Sequence, residues 1–381
     1  MSFSLYVHIP YCLVKCPYCD FNAYGVRTWP EERYVAALCA ELRHYVSQPP
    51  WQGHTVETIY FGGGTPSLFA PTSVARFLKE LADNCPLADK LEVTLEADPA
   101  TVTREKLTAF RSVGINRLSF GTQSFQPALL KTLGRLHSAD DGLRAIAWAR
   151  DSGFTNLSLD LIFAVPGQTL PMVESDLAQA LSCAPEHISL YNLTYEENTP
   201  FFAMKQKGQL RPVDEDDEVA MYALVRERCT GRGYCHYEIS NFARPGFFSR
   251  HNANYWNGGS YLGLGAGAHS FVRGPGWGRR WSNEKNPKVY MNKALAEGNT
   301  QSFQETLTRA QALGEFVFLR LRQLAGFAPA AFAERFAVSL AEQFPHVTDL
   351  CAEGLLTEED GRIRLTPRGL LIADTVFASF F

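Results

Sequence analysis

The sequence lacks a strong charge of either sign, a long apolar run and a recognisable leader. Its 36 Lys and Arg residues nearly balance 40 Asp and Glu residues, which excludes a nucleic-acid binder that works through bulk charge. No apolar run approaches the ~20 residues of a membrane-spanning helix. The first residues show no basic start before an apolar stretch, so we expect a cytoplasmic protein.

Nine cysteines are present, and three of them crowd into one short segment. Cys12, Cys16 and Cys19 form a C-x3-C-x2-C pattern, and thiolates this close repel one another unless a metal centre neutralises them. A structural zinc site needs four ligands, so His8 or Asp20 would have to complete it. A [4Fe-4S] cluster is the other metal interpretation, and three cysteines leave one of its irons open to a small chelating molecule. We interpret the remaining cysteines as small hydrophobes: Cys39, Cys85, Cys183, Cys229, Cys235 and Cys351.

Short apolar or β-branched runs alternate with amphipathic segments over the first two hundred residues. This alternation predicts a parallel sheet with crossover helices, and six such units predict an α/β fold with a partial (β/α)6 barrel. The predicted strands are Ser4–Ile9, Val56–Phe61, Leu91–Ala97, Asn116–Gly121, Asn156–Phe163 and His187–Thr194. The predicted helices are Glu31–Val46, Thr72–Asn84, Arg104–Val113, Ala139–Ser152 and Met172–Leu181.

Polar groups follow the predicted strands, at the end where barrels of this kind carry their chemistry. The triple glycine 62–64 suits either a backbone that a ligand approaches closely or merely a tight turn. Asp160 lies within an apolar strand, where an unpaired carboxylate is costly, so it needs a ligand hydroxyl or a backbone N–H as its partner. We predict one shared pocket for the cysteine segment and the polar strand ends, which include Thr65, Glu96, Asp98, Gln123, Asp160, Thr194 and Glu196.

Beyond residue 200 the pattern is less regular. The segment Arg250–Ser270 combines aromatics, glycines and two histidines in what we interpret as an irregular stretch suited to a flat apolar ligand, although His251 alone is typical of a core histidine. A helix at Leu307–Leu324, a hairpin at Leu355–Leu365 and a helix at Pro367–Phe380 resemble a winged-helix module with a packing or lid role. We therefore divide the chain into a barrel with an extension (1–300) and a winged-helix-like α+β domain (301–381).

Several motifs together resemble the oxygen-independent coproporphyrinogen III oxidase-like branch of the radical S-adenosylmethionine (SAM) proteins, over nearly the whole chain. The cysteine segment, Gly-Gly-Gly-Thr-Pro, Glu-Ala-Asp-Pro and Leu-Thr-Pro-Arg-Gly carry the resemblance. Within that branch the chain is more similar to the heme chaperones, because the oxidases have a further cysteine at the position of Phe21 and a longer N-terminal extension. The segment His251–Trp256 also fits the His-Asn-x-x-Tyr-Trp motif associated with heme binding in the chaperones.

The resemblance implies a set of cofactor contacts. The three clustered cysteines would ligate a [4Fe-4S] cluster whose fourth iron binds SAM, and His251 would contact heme. Asp160 would bind a ribose hydroxyl of SAM, and Glu96 its methionyl amino group. Arg135 as a surface cation and Thr194 as a simple strand end remain alternatives. The other implied SAM contacts, besides Arg135 and Thr194, are Tyr6, Tyr18, Gly63, Gly64, Thr65 and Gln123.

The favoured hypothesis is a cytoplasmic heme carrier without catalytic residues of its own. It would pass heme to an acceptor such as a membrane-associated respiratory hemoprotein, while the cluster and SAM act as a structural or regulatory element that promotes a homodimer. Two enzyme hypotheses stay open, an oxygen-independent coproporphyrinogen III oxidase and a heme-degrading enzyme that methylates and opens the porphyrin ring. A module whose cluster senses oxygen or iron is a third class, which no residue specifically supports.

Overall fold

The computed structural model describes residues 2–381, which form sixteen strands, twelve of them in one large sheet. The strands are β1 (Ser2–Ile9), β2 (Tyr11–Cys12), β3 (Tyr24–Gly25), β4 (Thr55–Gly63), β5 (Leu87–Ala97), β6 (Arg117–Gln123), β7 (Leu157–Phe163), β8 (His187–Asn192), β9 (Cys235–Glu238), β10 (Asn241–Ala243), β11 (Tyr261–Leu264), β12 (His269–Val272), β13 (Arg279–Asn283), β14 (Gln301–Thr306), β15 (Leu356–Glu359) and β16 (Arg362–Leu365). The order across the large sheet is β14-β13-β12-β11-β1-β4-β5-β6-β7-β8-β10-β9.

The six predicted barrel strands are β1, β4, β5, β6, β7 and β8, so the predicted α/β fold with a partial (β/α)6 barrel is confirmed. These strands run parallel, and the short strand β11 adds a seventh parallel neighbour on the other side of β1. Successive apolar side chains of β1 are buried, which is the pattern of a strand at the centre of a sheet covered on both faces. Antiparallel strands extend the sheet at both ends.

Most helices begin at residues that the sequence marks clearly. Capping boxes at Ser138 and Thr308 start two long helices, and proline occupies the first turn of several others. The helices are α1 (Glu31–Val46), α2 (Pro71–Asn84), α3 (Arg104–Ser112), α4 (Pro127–Thr132), α5 (Ala139–Asp151), α6 (Leu170–Ser182), α7 (Pro200–Gln206), α8 (Glu215–Gly231), α9 (Arg250–Trp256), α10 (Pro287–Glu297), α11 (Arg309–Leu321), α12 (Pro329–Phe336), α13 (Leu340–Gln343), α14 (Val347–Ala352), α15 (Pro367–Leu371) and α16 (Ala373–Ala378).

Two sequence predictions are wrong in detail. The stretch from Arg250 to Ser270 is not irregular, because Ser249 caps α9 and the following residues pair as β11 and β12. The helix predicted for Pro367–Phe380 is two short helices, because the backbone of Ile372 leaves the helical conformation (φ −124°, ψ 35°). Both errors concern segments whose local pattern is weaker than their tertiary contacts.

The apolar side chains form a main core around the large sheet and a second core within residues 312–380. The second core packs α11 to α16 against the hairpin β15–β16. The division of the chain at residue 300 stays a prediction, and residues 301–306 pair with the large sheet as β14. Within residues 2–381, no helix combines the length and the apolar character that crossing a membrane requires.

Candidate functional site

The three clustered cysteines follow the carboxyl end of β1, with Cys12 at the end of β2 and Cys16 and Cys19 on the loop after it. Cys12 is buried, whereas Cys16 and Cys19 are half-buried. Thr65 Oγ1 donates a hydrogen bond to Cys12 Sγ at 3.4 Å, and Arg135 Nη1 donates to Cys16 Sγ at 3.5 Å. Burial raises the pKa of Cys12 to about 11, so this thiol ionises at neutral pH only beside added positive charge. The donor set therefore suits a metal centre that takes thiolates.

Gly63 and Gly64 allow the end of β4 to pass very close to His8 of β1 and to the first cysteine, respectively. Gly63 has a φ of +114°, and a Cβ built on it would lie 2.6 Å from His8 Cε1. A Cβ on Gly64 would lie 2.7 Å from the Tyr11 carbonyl oxygen and 3.0 Å from Cys12 Sγ. The glycines are therefore required by a close approach between segments of the chain itself, and not only by a ligand or a tight turn.

A cavity of about 1300 Å³, here called the larger cavity, opens at the carboxyl ends of the barrel strands. Its volume exceeds the roughly 300–1,000 Å³ that is typical of sites for one small ligand, so it has room for a cluster and an adjoining molecule. Twelve of the fourteen predicted site residues line it: Cys12, Cys16, Tyr18, Cys19, Gly63, Gly64, Thr65, Glu96, Gln123, Arg135, Asp160 and Thr194. The structure brings these residues together, whereas Tyr6 and His251 lie outside this cavity.

Glu96 and Asp160 line the larger cavity, and neighbouring donors hold both of their carboxyl groups. The Tyr60 hydroxyl donates to Glu96 Oε1 at 2.9 Å, and the main-chain N–H of Gly63 donates to Glu96 Oε2 at 3.1 Å. Ser119 and Ser158 donate to Asp160 at 3.0 and 3.2 Å, so its protein partners are hydroxyl groups and not the backbone N–H that the sequence suggested. Burial raises the pKa of both carboxyl groups, that of Glu96 to about 7.

Arg135 belongs to a polar network that the sequence analysis found only in part. Its Nη2 donates to Asp98 Oδ2 at 2.7 Å and to the Gly121 carbonyl oxygen at 2.8 Å. Its side chain is only 11% exposed, so it is not a surface cation. His137 Nδ1 lies 3.5 Å from Asp98 Oδ1. Burial alone would raise the pKa of Asp98, but the contacts with His137 and Arg135 hold it below its usual value.

Asp98 was recognised in the sequence as a strand end without a role, and His137 was missed. The available signal was the spacing Arg135-x-His137 in the segment just before α5. The network holds the Arg135 guanidinium beside Cys16 and the end of β6.

Unpaired polar atoms in the larger cavity indicate that the site accommodates a polar molecule. Gln123 Oε1 and Arg135 Nε are buried and have no hydrogen-bond partner among residues 2–381, although buried polar groups are normally paired. Among residues 2–381, no three His, Cys, Asp or Glu side chains are arranged so that they could hold a single metal ion. The thiol set and the unpaired atoms fit a [4Fe-4S] cluster with a polar molecule beside it.

A second cavity of about 720 Å³, here called the smaller cavity, adjoins the larger one. The two cavities share Phe21, Gly63 and Glu96 as lining residues. Tyr6 lines the smaller cavity, where its hydroxyl is 3.0 Å from His8 Nδ1.

His251 lines neither cavity and is fully engaged inside the protein. Its Nδ1 is 2.8 Å from Thr58 Oγ1, which donates its own hydrogen to Ser4, so Nδ1 must carry the proton. Its Nε2 therefore accepts from the Tyr255 hydroxyl at 2.8 Å. Burial, with a smaller effect of Arg117, lowers the pKa of His251 to about 3. The geometry leaves neither ring nitrogen free for heme, as expected for the core-histidine interpretation.

Comparison with known proteins gives two family matches and many full-length relatives. The Radical SAM superfamily model matches residues 6–180, and the HemN C-terminal domain model matches residues 307–372. The heme chaperone HemW of Bacillus subtilis (strain 168) is 37% identical to this chain, covering 99% of this chain and 98% of the relative. The chain belongs to the HemW family. HemW of Escherichia coli (strain K12) is 35% identical, covering 99% and 97%.

The HemW family also has an animal relative and a related solved structure. The mouse protein called radical S-adenosyl methionine domain-containing protein 1, mitochondrial, is 37% identical over 98% of this chain and 86% of its own length. Coproporphyrinogen III oxidase (HemN) from Escherichia coli superposes with a TM-score of 0.85 at 24% identity, covering 99% of this chain and 89% of that one. At this identity the likeness shows a common fold. As a radical SAM protein of the HemW family, the chain takes a [4Fe-4S] cluster and SAM as cofactors.

Proposed function

We propose that this HemW-family protein is a cytoplasmic heme chaperone, which binds heme and passes it to an acceptor hemoprotein. The observation that carries the proposal is its full-length similarity to proteins named heme chaperones, at 37% identity over 99% of the chain. The similarity extends over 99% of this chain and 98% of the relative, so it is not confined to a common cofactor domain.

In this proposal the larger cavity holds the cofactors. Cys12, Cys16 and Cys19 would ligate the cluster, which supplies an open iron for SAM when it is bound. Thr65 and Arg135 would direct their donors at two of the three sulfurs, because both already contact these atoms. Charge-assisted donors of this kind stabilise thiolate ligands and orient them.

The polar wall of the larger cavity supports SAM as the molecule beside the cluster. Glu96 and Asp160 offer carboxylate oxygens for the methionyl amino group and a ribose hydroxyl, respectively. Gln123 and Arg135 offer the unpaired buried atoms described above. Tyr18 and Thr194 line the same space.

Phe21 supports a carrier in preference to an oxidase-type site. It stands at the position where the resemblance places a further cysteine in the oxidases, and its side chain is 60% exposed. It lines both cavities. An apolar ring there contributes contact surface to a hydrophobic ligand and offers no metal ligand or radical-transfer group.

The surface around the larger cavity supports a protein partner. Exposed apolar side chains from separate segments lie at its lining, and clustered exposed apolar surface marks interaction sites. Docking of an acceptor, such as a membrane-associated respiratory hemoprotein, and formation of a homodimer are further parts of the proposal. The exposed apolar residues are Leu13, Val14, Phe21, Leu136, Leu371 and Ile372.

The test is anaerobic reconstitution of the full chain followed by two assays on one sample, heme retention by absorption and release of 5′-deoxyadenosine from SAM. We expect a chain that retains heme without coupling SAM cleavage to a porphyrin product. Cys16→Ser should lower the iron and sulfide content, whereas the exposed Cys235 gives a matched control, Cys235→Ser, with wild-type content. Reconstituted wild-type protein that takes up no heme, or that converts coproporphyrinogen III, would contradict the proposal.

A further inference from the structure

The smaller cavity has the composition of a site for a flat apolar molecule. Its volume of about 720 Å³ lies within the roughly 300–1,000 Å³ of sites that enclose a small ligand. Strands of the sheet extension, α9, α11 and the C-terminal residue all contribute to its wall. Most of its large side chains are aromatic, namely Tyr6, Phe21, Tyr255, Trp256, Tyr261, Phe271, Phe318 and Phe381.

The aromatic rings of this wall support one another. The Tyr261 ring packs edge-on against Tyr255, with centroids 4.6 Å apart, and lies 6.2 Å from the Phe271 ring. Trp256 adds a buried Nε1 that has no hydrogen-bond partner among residues 2–381. Such a surface offers a large, preformed area for a planar ring system and one donor that is still unused.

Two histidines line the smaller cavity, and only one of them has free ring nitrogens. His8 Nε2 donates to the Asn22 carbonyl oxygen at 2.9 Å, and its Nδ1 accepts from the Tyr6 hydroxyl at 3.0 Å. His269 is exposed at the start of β12, and its ring makes no hydrogen bond within residues 2–381. Partial desolvation by the cavity wall, followed by the charges of Lys285 and Arg280, lowers the pKa of His269. A neutral imidazole with a free lone pair is the form that ligates iron.

Two cations line the smaller cavity near His269. Arg280 is paired with Glu305 and Glu315 at 2.7 Å each, so its charge is already balanced. Lys285 is exposed and forms no ion pair within residues 2–381. An unpaired ammonium at the rim of an aromatic cavity suits a ligand that is apolar in the middle and carries carboxylates at one edge.

We propose that the smaller cavity is the heme site, with His269 as a ligand of the heme iron and Lys285 facing the propionate edge. This inference rests on the proposed heme-chaperone function and specifies its site. It replaces His251, whose nitrogens are both engaged, by the second histidine of the same glycine- and aromatic-rich segment. Because Gly63 and Glu96 line both cavities, the bound heme would adjoin the cofactor site.

The test is a heme titration of the anaerobically reconstituted full chain, followed by the Soret band and its axial-ligand signature. His269→Ala should weaken heme binding at least roughly tenfold, since loss of a group that supports a metal already costs about 10–100-fold. His269→Cys should retain heme with the spectrum of a thiolate-ligated iron. Lys285→Gln should weaken binding several-fold.

Matched control variants distinguish the loss of a heme contact from a general disturbance of the fold. His54→Ala replaces a histidine that lines neither cavity, and Lys288→Gln replaces an exposed lysine three residues beyond Lys285. Both should bind heme as the wild type does, and every variant should keep the wild-type iron, sulfide and SAM content. If His269→Ala loses its cluster through misfolding, the His269→Cys spectrum and the paired lysine variants still decide the question.

The outcomes distinguish this site from the function itself. Wild-type protein that binds heme, with unchanged affinity and spectrum in both His269 variants, would overturn the site and leave the chaperone function standing. Wild-type protein that takes up no heme would overturn both. Loss of binding in the His269 variants with an unchanged cluster would support the assignment.

Discussion

The Gly63→Ala substitution is expected to destabilise the protein strongly, because Gly63 meets both of the conditions that exclude a side chain. Its φ of +114° lies in a region that other residues rarely adopt, and the new Cβ would lie 2.6 Å from His8 Cε1. The His8 ring cannot move aside freely, because Tyr6 and the Asn22 carbonyl oxygen hold its two nitrogens.

The magnitude follows from these two conditions. A residue other than glycine in such a backbone conformation costs about 1–3 kcal/mol. Displacing the His8 ring breaks two hydrogen bonds, each of which contributes about 0.5–1.5 kcal/mol. We therefore expect Gly63→Ala to lower the free energy of unfolding by about 2–6 kcal/mol, at the upper end of single substitutions.

Urea unfolding of the full chain measures this loss, with Gly53→Ala as the matched control. Gly53 also has a positive φ, +75°, but a Cβ there would meet nothing within 4 Å. The control should therefore show only the conformational cost, and the difference between the two variants, about 1–3 kcal/mol, reports the His8 contact. Equal unfolding midpoints for the two variants would refute this explanation of the close approach.

Two further predictions concern buried carboxyl groups. Asp160→Asn should weaken SAM binding roughly 10- to 100-fold, since a hydrogen bond to a charged group contributes about 1.5–3 kcal/mol. The control is Asp176→Asn, which changes a carboxyl group outside both cavities. Unchanged SAM affinity of Asp160→Asn would contradict the ribose contact. Burial raises the pKa of Glu41 from 4.5 to about 7, so between these values the folded chain retains a proton that the unfolded chain has lost. The free energy of unfolding should therefore fall by about 3 kcal/mol through Glu41 as the pH rises across that window. If the urea midpoint of Glu41→Gln changes with pH as steeply as that of the wild type, Glu41 is not the cause.

The barrel was predictable because each of its units carries a local signal. The periodic apolar residues of α1 and α5 and the apolar run of β7 identify their elements without any knowledge of neighbours. The extension was less predictable, because β11 and β12 have only four residues each and β11 contains a glycine. Their position depends on partners far away in sequence, such as Glu41, which accepts from the Gly265 N–H at 2.9 Å.

The larger cavity was predictable in composition and less so in its contacts. Parallel strands bring their carboxyl ends to one edge, so Glu96, Gln123 and Asp160 could be grouped from the strand pattern alone. That pattern does not specify which side chains pair within the group. Arg135 reaches Asp98 across 37 residues of sequence, and the contacts of Asp98 with His137 and Arg135 hold its pKa below the usual value although burial alone would raise it.

The two histidines of the glycine- and aromatic-rich segment show where sequence reasoning ends. The motif singled out His251, yet Thr58, 193 residues earlier, and Tyr255, one helical turn away, occupy both of its nitrogens. His269 lies beyond the motif, on a strand whose pairing with β13 leaves its side chain exposed at the smaller cavity. Residue type qualifies both as iron ligands, so the choice depends on which imidazole keeps a free lone pair, and only the tertiary hydrogen bonds determine that.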